Sequence, residues 1–285
     1  MKKYINQSLN KPLRNPILRL AKVSKSFPDN GGKNFVVLDK IDMSVYGGEF
    51  ICILGPSGCG KTVLLYLIAG FLFTENGKVL IKGEEAGGPD AKRVLMFQDY
   101  VLLPWKTVYE NVLFSLTKQK LSKKQKHKRV EKYLNLVGLE KFKNWYPHRL
   151  SGGMQQRVAL ARSLVVNPDI LLMDEPFAAL DSQFRKYLRE QLVTIWQKTK
   201  TTIIFVTHSV AEAIYLADRI FVLTSQPAKI KREYKIDIKR PRDMTSISFA
   251  EIRKSVENDT KEEFEKIKEK QYIKSNCEKG ISINL

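Results

Sequence analysis

The stretch Gly55-Pro56-Ser57-Gly58-Cys59-Gly60-Lys61-Thr62 decides how this chain folds. It matches the pattern Gly, four residues, then Gly-Lys-Ser/Thr, in which backbone N–H groups surround phosphate oxygens. An apolar run at 50–54 precedes it and another at 63–70 follows it, which predicts a buried strand and a packed helix. Because strand, glycine loop and helix are the context that this motif requires, the sequence predicts a nucleotide-binding α/β fold.

The residue types of this loop suit phosphate binding. Glycines allow the tight turn, and the following helix N-terminus contributes a partial positive charge. Lys61 adds a full charge that reaches the outer phosphates, and the Thr62 hydroxyl is placed to bind Mg²⁺. A glycine-rich turn that matches by chance is the alternative, expected from average composition in on the order of one chain in a hundred.

Length and composition limit the class of protein. The 285 residues can bury one large core or two modest ones, and a hydrophobic content of 43% is ordinary. The longest apolar run, Val63–Phe73, is too short to span a bilayer, and Met1–Arg19 has no leader-like apolar run. Three cysteines (Cys52, Cys59 and Cys277) without a short metal-type pairing indicate a reducing compartment and no zinc site. We therefore expect a soluble cytoplasmic protein.

The chain is strongly basic, with a net charge of +19. Such a charge suits a nucleotide, a nucleic acid or an anionic membrane face, or it is a solvated lysine-rich surface without a partner. The segment 118–132 alone holds eight Lys or Arg and one Glu. We interpret it mainly as a solvated helix face, and the absence of interleaved aromatics argues against a stacking surface for single-stranded nucleic acid.

Two carboxylates follow the buried strand predicted at 170–173. Asp174 can hold Mg²⁺ through water, and Glu175 can orient or deprotonate an attacking water. Carboxylates at a sheet edge are usually only solvated. The phosphate loop earlier in the chain favours the functional interpretation here.

Two further polar side chains follow predicted strands, at the sheet edge where ligands bind in parallel α/β folds. Gln98, after the strand 94–97, either reaches a metal or a water beside a γ-phosphate or is a solvated amide. His208, after the strand 202–206, is either structural or a hydrogen-bond donor to the γ-phosphate. Position alone leaves both alternatives open.

Two other segments suggest nucleotide contacts. Ser151 is a good N-cap, and with Gly152 and Gly153 it predicts a second anion-binding helix N-terminus. Phe27 comes just before a turn at 28–32, where its ring either stacks on adenine or packs in the core.

Taken together, these motifs resemble the ATP-binding subunit of an ATP-binding-cassette (ABC) transporter over roughly residues 17–225. The motifs are GPSGCGKT (55–62), FQD (97–99), LSGGMQQR (150–157), ILLMDEP (170–176), FAALD (177–181) and THS (207–209). LSGGMQQR distinguishes this family from other phosphate-loop proteins. LLPWKTVYENV (102–112) and Arg240-Pro241-Arg242-Asp243 resemble the importers of nitrate, sulfonates, taurine and related solutes.

The resemblance implies a P-loop core with a mainly parallel sheet, an antiparallel β subdomain and an inserted helical subdomain. It also suggests three divisions of the chain. We expect an N-terminal tail at 1–16, an ATPase domain at 17–225 with helices at about 100–165, and a charged C-terminal extension at 226–285.

The resemblance further implies an ATPase that dimerises on two ATP molecules. One copy would contact each ATP through Phe27 on adenine and through Gly55, Pro56, Ser57, Gly58, Cys59, Gly60, Lys61, Thr62 and Val63. The other copy would contribute Ser151, Gly152 and Gly153, and Asp181 would couple the two sites. Thr62, Gln98 and Asp174 would hold Mg²⁺. Glu175 would be the general base and His208 the γ-phosphate sensor, with Lys61 and Gln98 also in the catalytic set.

The partners implied are a second copy of the chain, transmembrane permease subunits and, indirectly, a solute-binding protein. Gln98 and the apolar loop Tyr100–Trp105 would pass motion to the permease, and the chain would lie peripherally on the cytoplasmic face of the membrane. No nucleic acid is expected. A soluble nucleic-acid ATPase and the ATPase of an exporter or lipid-transport system are the alternatives.

Two positions depart from the family pattern. Val63 stands where many relatives have a second hydroxyl residue, so a side-chain contact to the α-phosphate is expected to be missing. Ser209 replaces a frequent Asp after the histidine, and the sequence assigns no consequence to it.

Overall fold

The computed structural model describes residues 15–28, 32, 34–97, 99–178 and 182–278, without the side chains of residue 184 and residues 269–278. The predicted N-terminal tail therefore lies almost wholly outside the described residues. In chain order the strands are β1 (Leu18–Pro28), β2 (Asn34–Val45), β3 (Phe50–Leu54), β4 (Asn76–Ile81), β5 (Glu84–Glu85), β6 (Arg93–Met96), β7 (Ile170–Asp174), β8 (Thr202–Val206), β9 (Arg219–Leu223) and β10 (Ile230–Lys235). The helices are α1 (Lys61–Ala69), α2 (Val108–Phe114), α3 (Lys123–Leu136), α4 (Gly152–Leu164), α5 (Ser182–Thr199), α6 (Val210–Leu216) and α7 (Ile247–Glu278), with 3₁₀ turns at Glu140–Phe142 and Pro147–Arg149.

The larger sheet has the strand order β10-β9-β3-β8-β7-β6. Five of its strands pair in parallel, in the order β9, β3, β8, β7 and β6. The sixth strand, β10, runs antiparallel to β9. β3 and β8 are buried along their whole length, as the apolar runs predicted for strands covered on both faces. The mainly parallel core is confirmed.

The larger sheet continues past β9 into the predicted C-terminal extension. β10 adds a further strand at the edge, with register partners from Ile230↔Leu223 to Lys235↔Arg219. Its charged composition disguised it, because an edge strand has one exposed side and does not require an apolar run. The chain after residue 225 therefore takes part in the sheet.

The smaller sheet is antiparallel, with the order β2-β1-β4-β5, and confirms the predicted antiparallel β subdomain. Its buried side chains, such as Leu20 and Ile41, share one apolar cluster with Ile53 of β3 and Ile68 of α1. This packing holds β2 beside the phosphate loop.

The helical region contains α2, α3 and α4, and α2 and α3 are two separate helices. Thr107 and Ser122 each form a capping box with a residue three positions later, which starts α2 and α3 separately. α4 begins where predicted, since the Ser151 side chain accepts from the backbone N–H of Met154 at 3.3 Å. The inserted helical subdomain is confirmed.

The segment after β10 is attached to α6 by Arg242. This side chain is 5% exposed and donates to the carbonyl oxygens of Ile214 and Ala217 near the end of α6, both at 2.6 Å. Burial, followed by the charge of Arg240, lowers the pKa of Arg242 to about 10. The Arg-Pro-Arg-Asp segment thus fastens the chain that leads to α7.

Among the residues described, no helix has the length and apolar character needed to cross a bilayer.

Candidate functional site

The phosphate loop borders a pocket of about 330 Å³ at the carboxyl ends of the parallel strands of the larger sheet. The lining residues are Phe27, Val37, Ser57, Gly58, Gly60, Lys61, Thr62, Val63, Asp174, Glu175 and Gln226. One part of the lining is apolar, with Phe27 and Val37, and another combines the loop with the two carboxylates. Such a surface fits a flat base at one side and phosphates at the other.

The loop is shaped by close packing against β2. A Cβ atom on Gly60 would lie 2.8 Å from Val37 Cγ1 and 2.9 Å from Leu38 Cδ2, and its φ of +117° disfavours any side chain. Only glycine fits there without strain. The predicted loop glycine therefore has a second role, in bringing the loop against the smaller sheet.

Lys61 opens α1 and folds its side chain back over the loop. Its Nζ donates to the carbonyl oxygens of Gly55 at 3.0 Å and Pro56 at 2.9 Å, and the residue is 5% exposed. A buried ammonium that is hydrogen-bonded in this way places a fixed positive charge beside the backbone N–H groups. The combination attracts a polyanion.

Thr62 and Asp174 meet across the pocket floor, where the Thr62 hydroxyl donates to Asp174 Oδ2 at 2.8 Å. Burial raises the pKa of Asp174, and the neighbouring charge of Glu175 raises it further, against the opposing effects of Thr62 and Lys61. A divalent cation at these oxygens would favour the ionised form again.

Glu175 and His208 form the second contact at the end of the sheet. His208 Nδ1 lies 3.1 Å from Glu175 Oε2, and the Glu175 N–H donates to the Val206 carbonyl at 3.0 Å. Glu175 has a φ of +43°, a conformation that is costly for a residue with a side chain. The strained backbone directs this carboxylate to the pocket rim.

The segment that carries His208 is anchored on both sides. The Thr207 N–H donates to the Ile53 carbonyl at 3.2 Å, and its hydroxyl donates to the buried Glu212 at 2.6 Å. Burial raises the pKa of the Glu212 carboxyl. Ser209 caps α6 by accepting from the Glu212 N–H at 3.3 Å, which gives this departure from the family pattern a structural role. His208 is therefore held in place by buried groups.

Phe27 packs in the core, against the apolar cluster under the smaller sheet, and also faces the pocket, so its stacking on adenine stays a prediction. Lys25 Nζ lies 5.3 Å from the ring centroid, within cation–π range.

Several predicted residues are not brought to this pocket. Its described lining does not include Ser151, Gly152 or Gly153, which lie at the start of α4. Gln98 and Asp181 lie outside the residues that the structure describes, so their roles stay predictions.

Sequence reasoning missed two lining residues, Val37 and Gln226. Val37 reads as one more apolar residue of a strand, and Gln226 belongs to no motif. The Gln226 amide donates to the Gly58 carbonyl, 168 positions away in the chain, at 2.6 Å. No local pattern could have revealed this contact.

The apolar loop after residue 99 is held firmly and is only partly buried. Arg162 donates to the carbonyls of Tyr100 and Val101, and the fully buried Asn111 side chain bonds both the N–H and the carbonyl of Leu103. Val101 and Trp105 remain 57% and 71% exposed. Exposed apolar side chains on a rigid loop are typical of a partner surface.

No group of three or more His, Cys, Asp or Glu that could hold a metal ion occurs among the described residues. Thr62 and Asp174 are nonetheless suitable Mg²⁺ ligands, because Mg²⁺ usually combines one or two protein oxygens with substrate phosphates and water.

Comparison with known proteins gives consistent matches. A family model described as "ABC transporter" matches residues 38–178. The chain is 51% identical to an uncharacterised ABC transporter ATP-binding protein of Methanocaldococcus jannaschii, over 86% of this chain and 92% of that protein. It is 44% identical to an aliphatic sulfonates import ATP-binding protein of Bacillus cereus (77% and 86% covered) and to a nitrate import ATP-binding protein of Synechocystis (78% and 83% covered).

The fold also matches solved cassettes. One is a dimeric ATP-binding cassette in a post-hydrolysis state bound to ADP and Pi, with a TM-score of 0.66 and 31% identity. The match covers 78% of this chain and all of that one.

Proposed function

The chain belongs to the ABC transporter family of ATP-binding proteins, and from this premise we propose that it is the ATP-hydrolysing subunit of a membrane importer for a small solute. The proposal is carried by one observation above all. Lys61, Thr62, Asp174 and Glu175 border a single pocket, with His208 in contact with Glu175. Importer subunits among the relatives, at 44% identity, support the direction of transport.

The loop binds the triphosphate. Backbone N–H groups at the start of α1 and the Lys61 ammonium hold the phosphate oxygens, while Phe27 and Val37 face the base. Val63 offers only its backbone N–H to the α-phosphate.

Thr62 and Asp174 would hold the Mg²⁺ ion, with Gln98 as a further ligand. When bound, the ion neutralises charge that develops on the phosphate oxygens during transfer. The Thr62–Asp174 hydrogen bond keeps both oxygens together before the ion arrives.

Glu175 acts as the general base. Its carboxylate takes a proton from water as the water oxygen bonds to the γ-phosphorus and the bond to the ADP oxygen breaks. His208 holds the carboxylate in place and hydrogen-bonds the γ-phosphate. The strained backbone of Glu175 directs the base toward the nucleotide.

A second copy completes each site. The start of α4, where Ser151 and Gly152 are exposed and Gly153 is buried, presents backbone N–H groups to the nucleotide of the other copy, and Asp181 couples the two sites. The family's dimeric cassette with ADP and Pi supports this arrangement. Because ATP bridges two helix N-termini, loss of the γ-phosphate lets the pair open.

The remaining partners are permease subunits in the membrane, with this chain peripheral on the cytoplasmic face and a solute-binding protein acting indirectly. The rigid loop with Val101 and Trp105 exposed is the permease contact. The solute is a small anion of the nitrate or sulfonate type, or taurine or a related compound. No specific observation favours a nucleic-acid substrate or export.

The test compares Glu175→Gln with Glu84→Gln, a matched change at an exposed residue of β5. Glu175→Gln should retain ATP binding, lower hydrolysis by about 10²–10⁴-fold and accumulate as a dimer with ATP, since the amide cannot accept the proton. Phosphate release and size-exclusion chromatography with ATP measure both effects. Hydrolysis equal to that of Glu84→Gln would refute the assignment, and failure to co-purify with a permease would count against transport.

A further inference from the structure

The short segment 224–229, between β9 and β10, touches three parts of the molecule that are distant in sequence. Its Ala228 pairs with β2, because the Ala228 N–H donates to the Val37 carbonyl at 2.8 Å and the Asp39 N–H donates to the Ala228 carbonyl at 2.9 Å. Gln226 reaches the phosphate loop and Ser225 reaches α7. We call it the bridging segment.

The first contact acts on the geometry of the phosphate loop. Gly58 has a φ of +74°, and its carbonyl accepts from the Gln226 Nε2 at 2.6 Å. The loop's N–H groups face the phosphates only while its carbonyls point elsewhere. A side-chain donor on the Gly58 carbonyl stabilises that orientation before nucleotide arrives.

The second contact joins the bridging segment to the C-terminal helix. Glu263 of α7 is 1% exposed and its Oε2 accepts from the Ser225 N–H at 2.9 Å and the Ser225 hydroxyl at 3.3 Å. Lys266 and Lys231 lie 2.7 Å and 3.1 Å from its other oxygen. A buried carboxylate with four donors is a rigid anchor, because removing it leaves charges and a backbone N–H unpaired.

The geometry points to a linked pair of positioning residues: Gln226 sets the phosphate loop for nucleotide, and Glu263 of α7 sets Gln226. Nucleotide affinity then depends on how α7 is seated, although α7 does not line the pocket in the described structure. The inference rests on nucleotide binding at this loop and goes beyond the general ATPase mechanism, since it assigns a role to the C-terminal extension.

The experiment measures ADP dissociation constants by calorimetry, so that turnover does not interfere. Gln226→Ala should raise the dissociation constant about 5–10-fold, the effect of one well-placed hydrogen bond. Glu263→Gln should raise it about 3-fold or more. The double variant should have the same ADP dissociation constant as Gln226→Ala, because both changes act on the contact between Gln226 and the Gly58 carbonyl.

Glu262→Gln is the matched control, since this neighbouring carboxylate has a side chain that is 59% exposed and pairs with Lys231. Its dissociation constant should stay within 2-fold of the parent's. Glu263→Asp keeps the charge for Lys231 and Lys266 but is too short to reach Ser225. If Glu263→Gln does not fold, the ADP dissociation constant of Glu263→Asp tests the same contact and should rise in the same way. A merely structural role would lower the unfolding temperature without changing affinity.

Three results would overturn the inference. The first is a dissociation constant for Gln226→Ala within 2-fold of the parent's. The second is ADP binding by Glu263→Gln or Glu263→Asp equal to that of Glu262→Gln. The third is additive effects in the double variant. Absence of ADP binding in the parent chain would instead contradict the proposed function itself, so the two failures are distinguishable.

Discussion

Replacing Gly60 by alanine is expected to destabilise the chain through two separate costs. The φ of +117° costs a residue with a side chain about 1–3 kcal/mol. The new Cβ would lie 2.8 Å from Val37 Cγ1 and 2.9 Å from Leu38 Cδ2, and these residues are only 6% and 0% exposed. Overpacking at such a site costs about 1–3 kcal/mol more. The total of about 2–6 kcal/mol is a large part of the ~5–15 kcal/mol that typically stabilises a folded protein.

Gly83→Ala is the matched control. Gly83 has a φ of +89°, but no described atom lies within 4 Å of its added Cβ, so it carries the backbone cost alone. In thermal unfolding followed by circular dichroism, Gly60→Ala should melt below Gly83→Ala by about 2–12 °C, since 1 kcal/mol corresponds to about 2–4 °C in a large domain. Equal melting temperatures would refute the claim that β2 packs against this glycine. Nucleotide affinity should fall only in Gly60→Ala.

Three further predictions follow from single contacts. Thr62→Val should lower ADP affinity about 10-fold in the presence of Mg²⁺ and leave it unchanged in EDTA, because a ligand oxygen beside Asp174 is lost. Thr62→Ser, which keeps the hydroxyl, should bind ADP as the parent does. A loss of affinity in Thr62→Val that does not depend on Mg²⁺ would contradict the metal role. Asn111→Ala should lower the free energy of unfolding in urea by about 2–4 kcal/mol, since it strands polar groups of the 103–107 loop; a loss below 0.5 kcal/mol would argue that the loop is held otherwise. Although burial opposes it, the hydrogen bonds of Lys266, Ser225 and Lys231 lower the pKa of Glu263 to about 2 from an ordinary 4.5. Its stabilisation is therefore complete above about pH 4.5 and lost toward pH 2, so the stability difference between the parent and Glu263→Gln should shrink over that range, and a constant difference would contradict the ionised anchor.

Strand positions were predictable where burial is two-sided. The apolar run 202–206 coincides with β8, and Ser151 caps α4 as its residue type indicated. The sequence pattern did not indicate β10, a half-exposed edge strand of mixed charge inside the predicted C-terminal extension. A strand that is buried on both faces requires a run of apolar residues, which is recognisable in the sequence. An edge strand is held mainly by backbone hydrogen bonds that any residue except proline can make.

The phosphate loop, the carboxylates and histidine that follow buried strands, and the family could all be identified from the sequence, because each depends on a short run of residues with fixed local geometry. The packing of Gly60 against β2, the capping of α6 by Ser209, and the connection of the loop to α7 through Gln226 and Glu263 became visible in the folded chain alone. Those contacts are made by side chains far apart in the chain, such as Gln226 and Gly58 at a separation of 168 residues. Such contacts depend on how strands and helices pack, and packing at that distance leaves no local signature in the sequence.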